Sequence, residues 1–256
     1  MIMNSIFKQD NKINEENNDS PNLLKTLTEK VFTNDEDFKG PDIVIPYGYT
    51  KISSFVFSNK ENIFSIKLPD GITVLRSHAF NNCKQLRRIN IPNSVLVIDD
   101  SVFKGCKSLK SIVIPENVKK IYSNTFYGCD SLEEIILPKG LTEIVYQAFA
   151  YCCNLKEITI PVGVNRIDSD AFTGCVSLQN IFVDDENTTF TDIDGVLYNK
   201  SLTKLIKYPD GRTQSNFTVP VSVIEIDHKA FSGCRYVTSI CFPSCKSNRK
   251  IKSKIS

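Results

Sequence analysis

The chain has 256 residues, is 41% hydrophobic and carries 31 Lys and Arg against 29 Asp and Glu, which is enough apolar material for a sizeable core. The net charge of +2 is unevenly placed: residues 1–40 hold eight acids against five lysines, the segment from Cys245 holds five bases, and the stretch between them is neutral. A neutral body without a basic stripe excludes the usual electrostatic footprint of a nucleic-acid binder, and no run approaches the ~18 apolar residues of a membrane span.

Residues 1–19 are rich in Asn, Asp, Glu and Lys, a composition expected to be disordered. The start lacks the apolar run of a signal peptide. The expected location is therefore cytoplasmic, with a cell-surface association reached by an unconventional route as the alternative. Ser20-Pro21 reads as a helix N-cap followed by proline at the first helical position. Leu23, Leu24, Leu27 and Val31 would then line one apolar face. Residues 20–41 are expected to form a capping helix and linker for the body that follows.

From about residue 42 to 244 the chain repeats every 23 residues. Phe57, Phe80, Phe103, Phe126, Phe149 and Phe172 mark the interval, and so do Pro46, Pro69, Pro92, Pro115, Pro138 and Pro161. A fixed period of that size indicates a solenoid in which each repeat is one coil. In the coil from Val118 to Pro138, Ile135 and Leu137 alternate around Ile136, which is strand periodicity. Proline, having no N–H for the ladder, ends that strand. Val118 and Ile121 mark a second extended segment. Thr125 to Cys129 should make a tight turn or short helix, with Gly128 supplying an unusual backbone angle.

The frame breaks once. Pro161 and Pro220 lie 59 residues apart, so one coil carries 13 residues more than two repeats require. Val196-Leu197-Tyr198, a polar turn at Asn199-Lys200-Ser201, and Lys204 to Tyr208 predict a β-hairpin that projects from the solenoid at about residues 185–215. Residues 245–256 form a basic tail, a candidate for weak peripheral contact with acidic lipid headgroups. The uncapped last coil raises self-association as a structural role; the oligomeric state is open.

The frame V-x-x-I-x-x-x-A-F-x-G-C-x-x-L-x-x-I-x-I-P, clearest from Val164 through Ala171-Phe172 and Gly174-Cys175 to Ile181, resembles the BspA-like leucine-rich repeat family. The segment Asp194-Gly195-Val196-Leu197-Tyr198 with Tyr208-Pro209 is similar to an insertion common in that family. The resemblance implies an α/β leucine-rich repeat solenoid, a horseshoe with parallel strands on its concave face, short turns or helical segments between them, and one hairpin insertion. It also implies a non-enzymatic protein that binds another protein, as surface antigens and adhesins do. A cytoplasmic scaffold is the alternative.

The candidate protein-binding residues are the outward strand positions: Lys67, Asn90, Val113, Ile136, Thr159 and Phe182 in one column, and Arg88, Glu134, Glu157 and Asn180, with Ser65 and Ser111, in the other. Solenoid stacking gathers such columns into one extended surface, and Val113, Ile136 and Phe182 are the apolar members that suggest a contact. Cys83, Cys106, Cys129, Cys152, Cys175 and Cys234 share one repeat position and are expected to be small buried hydrophobes, not disulfides or metal ligands. That column of free thiols is taken to favour a reducing compartment. His78 and His228 lack any triad or metal spacing, so no catalytic residue, metal site or cofactor is expected; an enzyme using either histidine is the remaining option. Asp192 to Gly195 reads as turn chemistry, not a calcium loop. The four N-x-S/T sequons, at Asn18, Asn187, Asn199 and Asn216, carry no information in so Asn-rich a chain.

Overall fold

The computed structural model describes residues 31–33 and 40–242. Strands of three or four residues recur at Asp42–Val44, Ser65–Lys67, Arg88–Asn90, Ser111–Val113, Glu134–Ile136, Glu157–Ile160, Asn180–Val183, Asn216–Thr218 and Ser239–Cys241. Wherever they pair they do so in parallel, with partners 23 residues apart: Asp42 faces Ser65, Ser65 faces Arg88, Ser111 faces Glu134, Glu157 faces Asn180 and Asn216 faces Ser239. A second column of two-residue strands, including Lys51–Ile52, Val74–Leu75, Val97–Ile98, Lys120–Ile121, Glu143–Ile144 and Arg166–Ile167, pairs with the same offset. This is the parallel-strand solenoid that the period implies.

The turns between the columns are not helical; among the described residues there is no helix. The reason is visible in where the backbone N–H groups go. In the turn around Phe126, the N–H of Tyr127 and Cys129 donate three residues back, to Asn124 and Phe126. The intervening N–H of Asn124, Phe126 and Gly128 donate instead to Tyr146, Ala148 and Ala150 of the next coil. A helix would keep all five within the turn itself. The alternation is made by left-handed residues four apart, Asn124 (φ 56°) and Gly128 (φ 67°). The glycine was legible in the sequence. The second left-handed column was not, because it is filled by Phe55, His78, Ser101, Asn124 and Gln147, residues with no shared signature.

Inside, the phenylalanines stack as a continuous spine. Phe32, Phe57, Phe80, Phe103, Phe126, Phe149 and Phe172 lie 5.5–5.7 Å from ring to ring, with interplanar angles of 2–16°. Phe32 belongs to the strand Val31–Phe32, which pairs with Lys51–Ile52. Val31 is therefore not on the expected capping helix; residues 20–30 and 34–39 of that segment, like residues 1–19 and 245–256, lie outside the described residues.

The inserted segment departs from expectation. Phe190–Ile193, Val196–Asn199 and Lys204–Lys207 form an antiparallel meander whose last strand pairs in parallel with Glu225–Ile226. The hairpin exists but does not project. Leu197 packs into the core of the preceding coils, and Val196 and Tyr198 into that of the following ones, so both of its faces are buried. Tyr208 takes the spine position: its ring stacks on Phe231 at 5.4 Å and its N–H donates to Ala230. Gly211 approaches the backbone of Ser177 and Leu178 more closely than any Cβ would allow. Its N–H donates to the Leu178 carbonyl.

Two ion pairs lock this junction. The Lys207 ammonium, with its side chain 2% exposed, meets the Asp210 carboxylate at 2.5 Å and the Ser232 carbonyl at 2.8 Å. The second Asp210 oxygen accepts the Gly174 N–H. Arg212, lying over the Tyr208 ring, pairs with Asp194. Asn187, fully buried, donates to the Pro161 and Val164 carbonyls and accepts from the N–H groups of Thr189 and Phe190. It caps the parallel column where the antiparallel meander begins.

Two outcomes follow for denaturant unfolding. Phe126→Ala, which opens the middle of the spine, should cost about 3–5 kcal/mol. Lys207→Met or Asp210→Leu alone should each cost about 3–5 kcal/mol, because each strands a buried charge, whereas the double variant should lose far less than the sum. Additive losses would show that the two side chains do not act as a pair.

Candidate interaction surface

The expected columns lie together on one face, that of the longer strands. Lys67, Arg88, Asn90, Val113, Glu134, Ile136, Glu157, Thr159 and Phe182 are exposed, as is Ser111, while Ser65 and Asn180 are half-buried. Three of the apolar members hold 47% (Val113), 44% (Ile136) and 39% (Phe182) of their surface open to solvent. In-register pairing places Val113 beside Ile136 and Thr159 beside Phe182. Two candidates have internal partners. Asn90 binds the Leu68 backbone through both ends of its amide, accepting its N–H at 3.2 Å and donating to its carbonyl at 3.4 Å. Asn180 packs against Gly195 at the edge of the insertion.

The structure also brings up residues that the column analysis passed over. Val44, 60% exposed, starts the apolar column. Along one border of the face run Phe64, Arg87, Lys110, Glu133, Lys156 and Gln179, all exposed, with the Arg87 guanidinium 5.0 Å from the centre of the Phe64 ring. Their 23-residue spacing was available in the sequence. Because they precede the strand by one residue, alternation alone assigned them no face.

Charges are treated differently on different sides of the molecule. Along the short strands, Glu143 meets Lys120 at 3.2 Å and Arg166 at 3.1 Å, one on each neighbouring coil. Lys204 likewise meets Glu225 at 2.9 Å. On the turn side Lys84 pairs with Glu61 and Lys107 with Asp130. On and beside the long-strand face, by contrast, none of Lys67, Arg87, Arg88, Lys110, Glu133, Glu134, Lys156 and Glu157 takes part in an ion pair among the described residues.

The other expected features resolve into structure. Each column thiol donates to the carbonyl of the spine aromatic 26 residues earlier, from Cys83 to Phe57 at 3.1 Å through Cys175 to Phe149 at 3.1 Å. Burial pushes Cys83 and Cys175 up to about 12 and raises Cys106, Cys129 and Cys152 as well. A buried, hydrogen-bonded, protonated thiol is a poor nucleophile in any compartment, so the column does not itself call for a reducing one. Asp192 accepts from the Val183 and Gly195 N–H groups, which is turn chemistry. The His78 ring stacks on Phe55 at 4.7 Å, and His228 sits beside Asp227 near the far end of the solenoid. Among the described residues, no three His, Cys, Asp or Glu side chains gather in a way that could hold a metal ion, and no helix is long and apolar enough to cross a membrane. The Asn187 sequon is buried and its amide is engaged with backbone.

A solenoid of such 23-residue coils with one inserted meander defines a leucine-rich repeat protein. The model of the BspA type Leucine rich repeat region matches residues 1–129, 77–204 and 208–255, in six copies, and the chain belongs to that family. Among solved structures it is similar to a leucine rich cell surface protein from Faecalibacterium prausnitzii, with 30% identity and a TM-score of 0.64 over 84% of this chain and 65% of that one. It is also similar to a T. pallidum Leucine Rich Repeat protein, at 29% identity and TM-score 0.54 over 56% and 69% of the respective chains. The pneumococcal vaccine antigen PcpA shares the fold, with TM-score 0.71 at 22% identity over 83% of this chain and 57% of its own. The chain thus spans about two thirds or less of the length of the cell surface protein and of PcpA. No curated protein matches it.

Thiol labelling of the native protein at mildly alkaline pH should modify exposed Cys241 quickly and leave Cys83, Cys106, Cys129, Cys152 and Cys175 unmodified until the chain is unfolded. Mass spectrometry of the digest would read this directly, and fast native labelling of the column would contradict its hydrogen-bonded burial.

Proposed function

We propose that the chain is a non-catalytic recognition module that binds another protein through its long-strand face, the concave side of the expected horseshoe. The observation that carries this reading is the exposed set of Val44, Val113, Ile136 and Phe182 on one face, among charged side chains that form no ion pair among the described residues. Apolar anchors ringed by polar groups are what a protein-binding patch requires. The charged groups remain free to pair with whatever docks there. The 30% identity to a cell surface protein favours display at a cell surface over a cytoplasmic scaffold. Surface biotinylation of intact cells would label the chain in the first case and spare it in the second.

The binding reading is tested by capture from native lysate with three baits: the wild type, Ile136→Asp/Phe182→Asp, and Lys107→Glu on the turn side as control. Proteins retained by the wild type and the control but lost from the face variant are the expected result. Equal retention by all three would remove this face from consideration.

A further inference from the structure

The charges on and beside the long-strand face form no ion pairs among the described residues, and beyond Asp42 on the first coil, which accepts a hydrogen bond from Ser65, they are sorted. Lys67, Arg87, Arg88 and Lys110 occupy three successive coils with no acid among them. Glu133, Glu134 and Glu157 occupy the next two, with only Lys156 interspersed, and the coil after these presents uncharged Gln179 and Asn180. Val113 and Ile136 sit side by side where the sign changes. Neutral coils could be stacked with the signs alternating, as they are along the short strands at Lys120, Glu143 and Arg166. On this face Arg87 and Lys110, and Glu134 and Glu157, are like-charged neighbours on successive coils, which repel, although Lys110, Glu133 and Lys156 alternate along the border. An outside group that neutralises each block relieves that repulsion.

Two blocks of opposite sign restrict what that group can be. A uniformly anionic partner, such as a nucleic acid or an acidic bilayer, would be attracted by the Lys67–Lys110 coils and repelled by the Glu133–Glu157 coils. A uniformly basic partner meets the reverse. We propose, resting on the protein-binding reading above, that the occupant is a block-charged polypeptide segment lying along the coil stack. Its acidic residues lie over the coils of Lys67, Arg87, Arg88 and Lys110, an apolar side chain lies at Val113 and Ile136, and its basic residues lie over Glu133, Glu134 and Glu157. Four coil steps separate Lys67 from Glu157, about 19 Å at strand spacing, a span that roughly six extended residues cover.

The probes are two synthetic peptides of equal composition, one with an acidic block, a leucine and a lysine block, the other with the same charges alternating. Each is titrated against the full chain by fluorescence anisotropy at low and high salt. The block peptide should bind about tenfold more tightly, a preference that salt erases. Arg88→Glu and Glu157→Lys should each weaken it. The full exchange Lys67→Glu, Arg87→Glu, Arg88→Glu, Lys110→Glu, Glu133→Lys, Glu134→Lys and Glu157→Lys should restore binding, because the blocks are then inverted and the peptide can lie in the opposite sense. Equal affinity for the two peptides, or an exchanged face that fails to recover, would overturn the proposal. So would wild-type dimers in light scattering that the same substitutions abolish, since a second copy would then be the occupant. Face-dependent lysate capture without peptide discrimination sinks the charge-block proposal and leaves the binding reading intact; loss of face dependence as well sinks both.

Discussion

Everything in this molecule follows from one constraint: each turn sends alternate backbone N–H groups to the coil that follows it. That alternation fixes the coil spacing, which brings ring onto ring in the phenylalanine spine and thiol onto carbonyl in the cysteine column. It also fixes the period, because an extra residue in one coil would turn inward-facing side chains outward. The chain can vary only what the ladder does not touch, namely the outward strand positions and the tips of the turns. Structure is therefore concentrated in the repeated positions and individuality in the variable ones.

The insertion shows how such a lattice absorbs an irregularity. Thirteen added residues would be expected to loop out. Instead the meander lies between two core clusters and feeds side chains to both, Leu197 to one and Tyr198 to the other. The dense polar network at the junction, with Asn187, Lys207, Asp210 and Arg212, satisfies backbone groups left over where parallel pairing ends. A buried Lys–Asp pair is weak evidence of added stability. Its better-supported effect here is geometric, since Lys207 and Asp210 tie Gly174 on one side to Ser232 on the other.

Much of this was legible in the sequence. The Phe, Pro and Cys intervals announced the solenoid, and strand alternation found the exposed columns at Val113, Ile136 and Phe182. Other features were hidden for physical reasons. The second left-handed position is occupied by unrelated residues, so it left no motif. The hairpin's alternating residues looked like a free ribbon because sequence cannot say that both of its faces will be covered. Asn90 looked like a free surface amide, yet its amide is held by the Leu68 backbone. The pairing state of the charges could not be read at all: Glu143 and Glu134 occupy equally exposed-looking strand positions, and only the packing shows that one is held between two cations and the other is not.

That difference is the core of the functional account, because it separates charges that hold coils together from charges that, on the proposed function, meet a partner. Denaturant unfolding of neutralised variants tests it most directly. Glu143→Gln should lower stability by up to about 1 kcal/mol, as expected for a partly exposed charge flanked by two cations. Arg88→Gln, Glu134→Gln and Glu157→Gln should leave stability unchanged or raise it by relieving repulsion between like neighbours. If the face variants were destabilised as much as Glu143→Gln, the face charges would belong to the fold, and the case for a recognition surface there would fail.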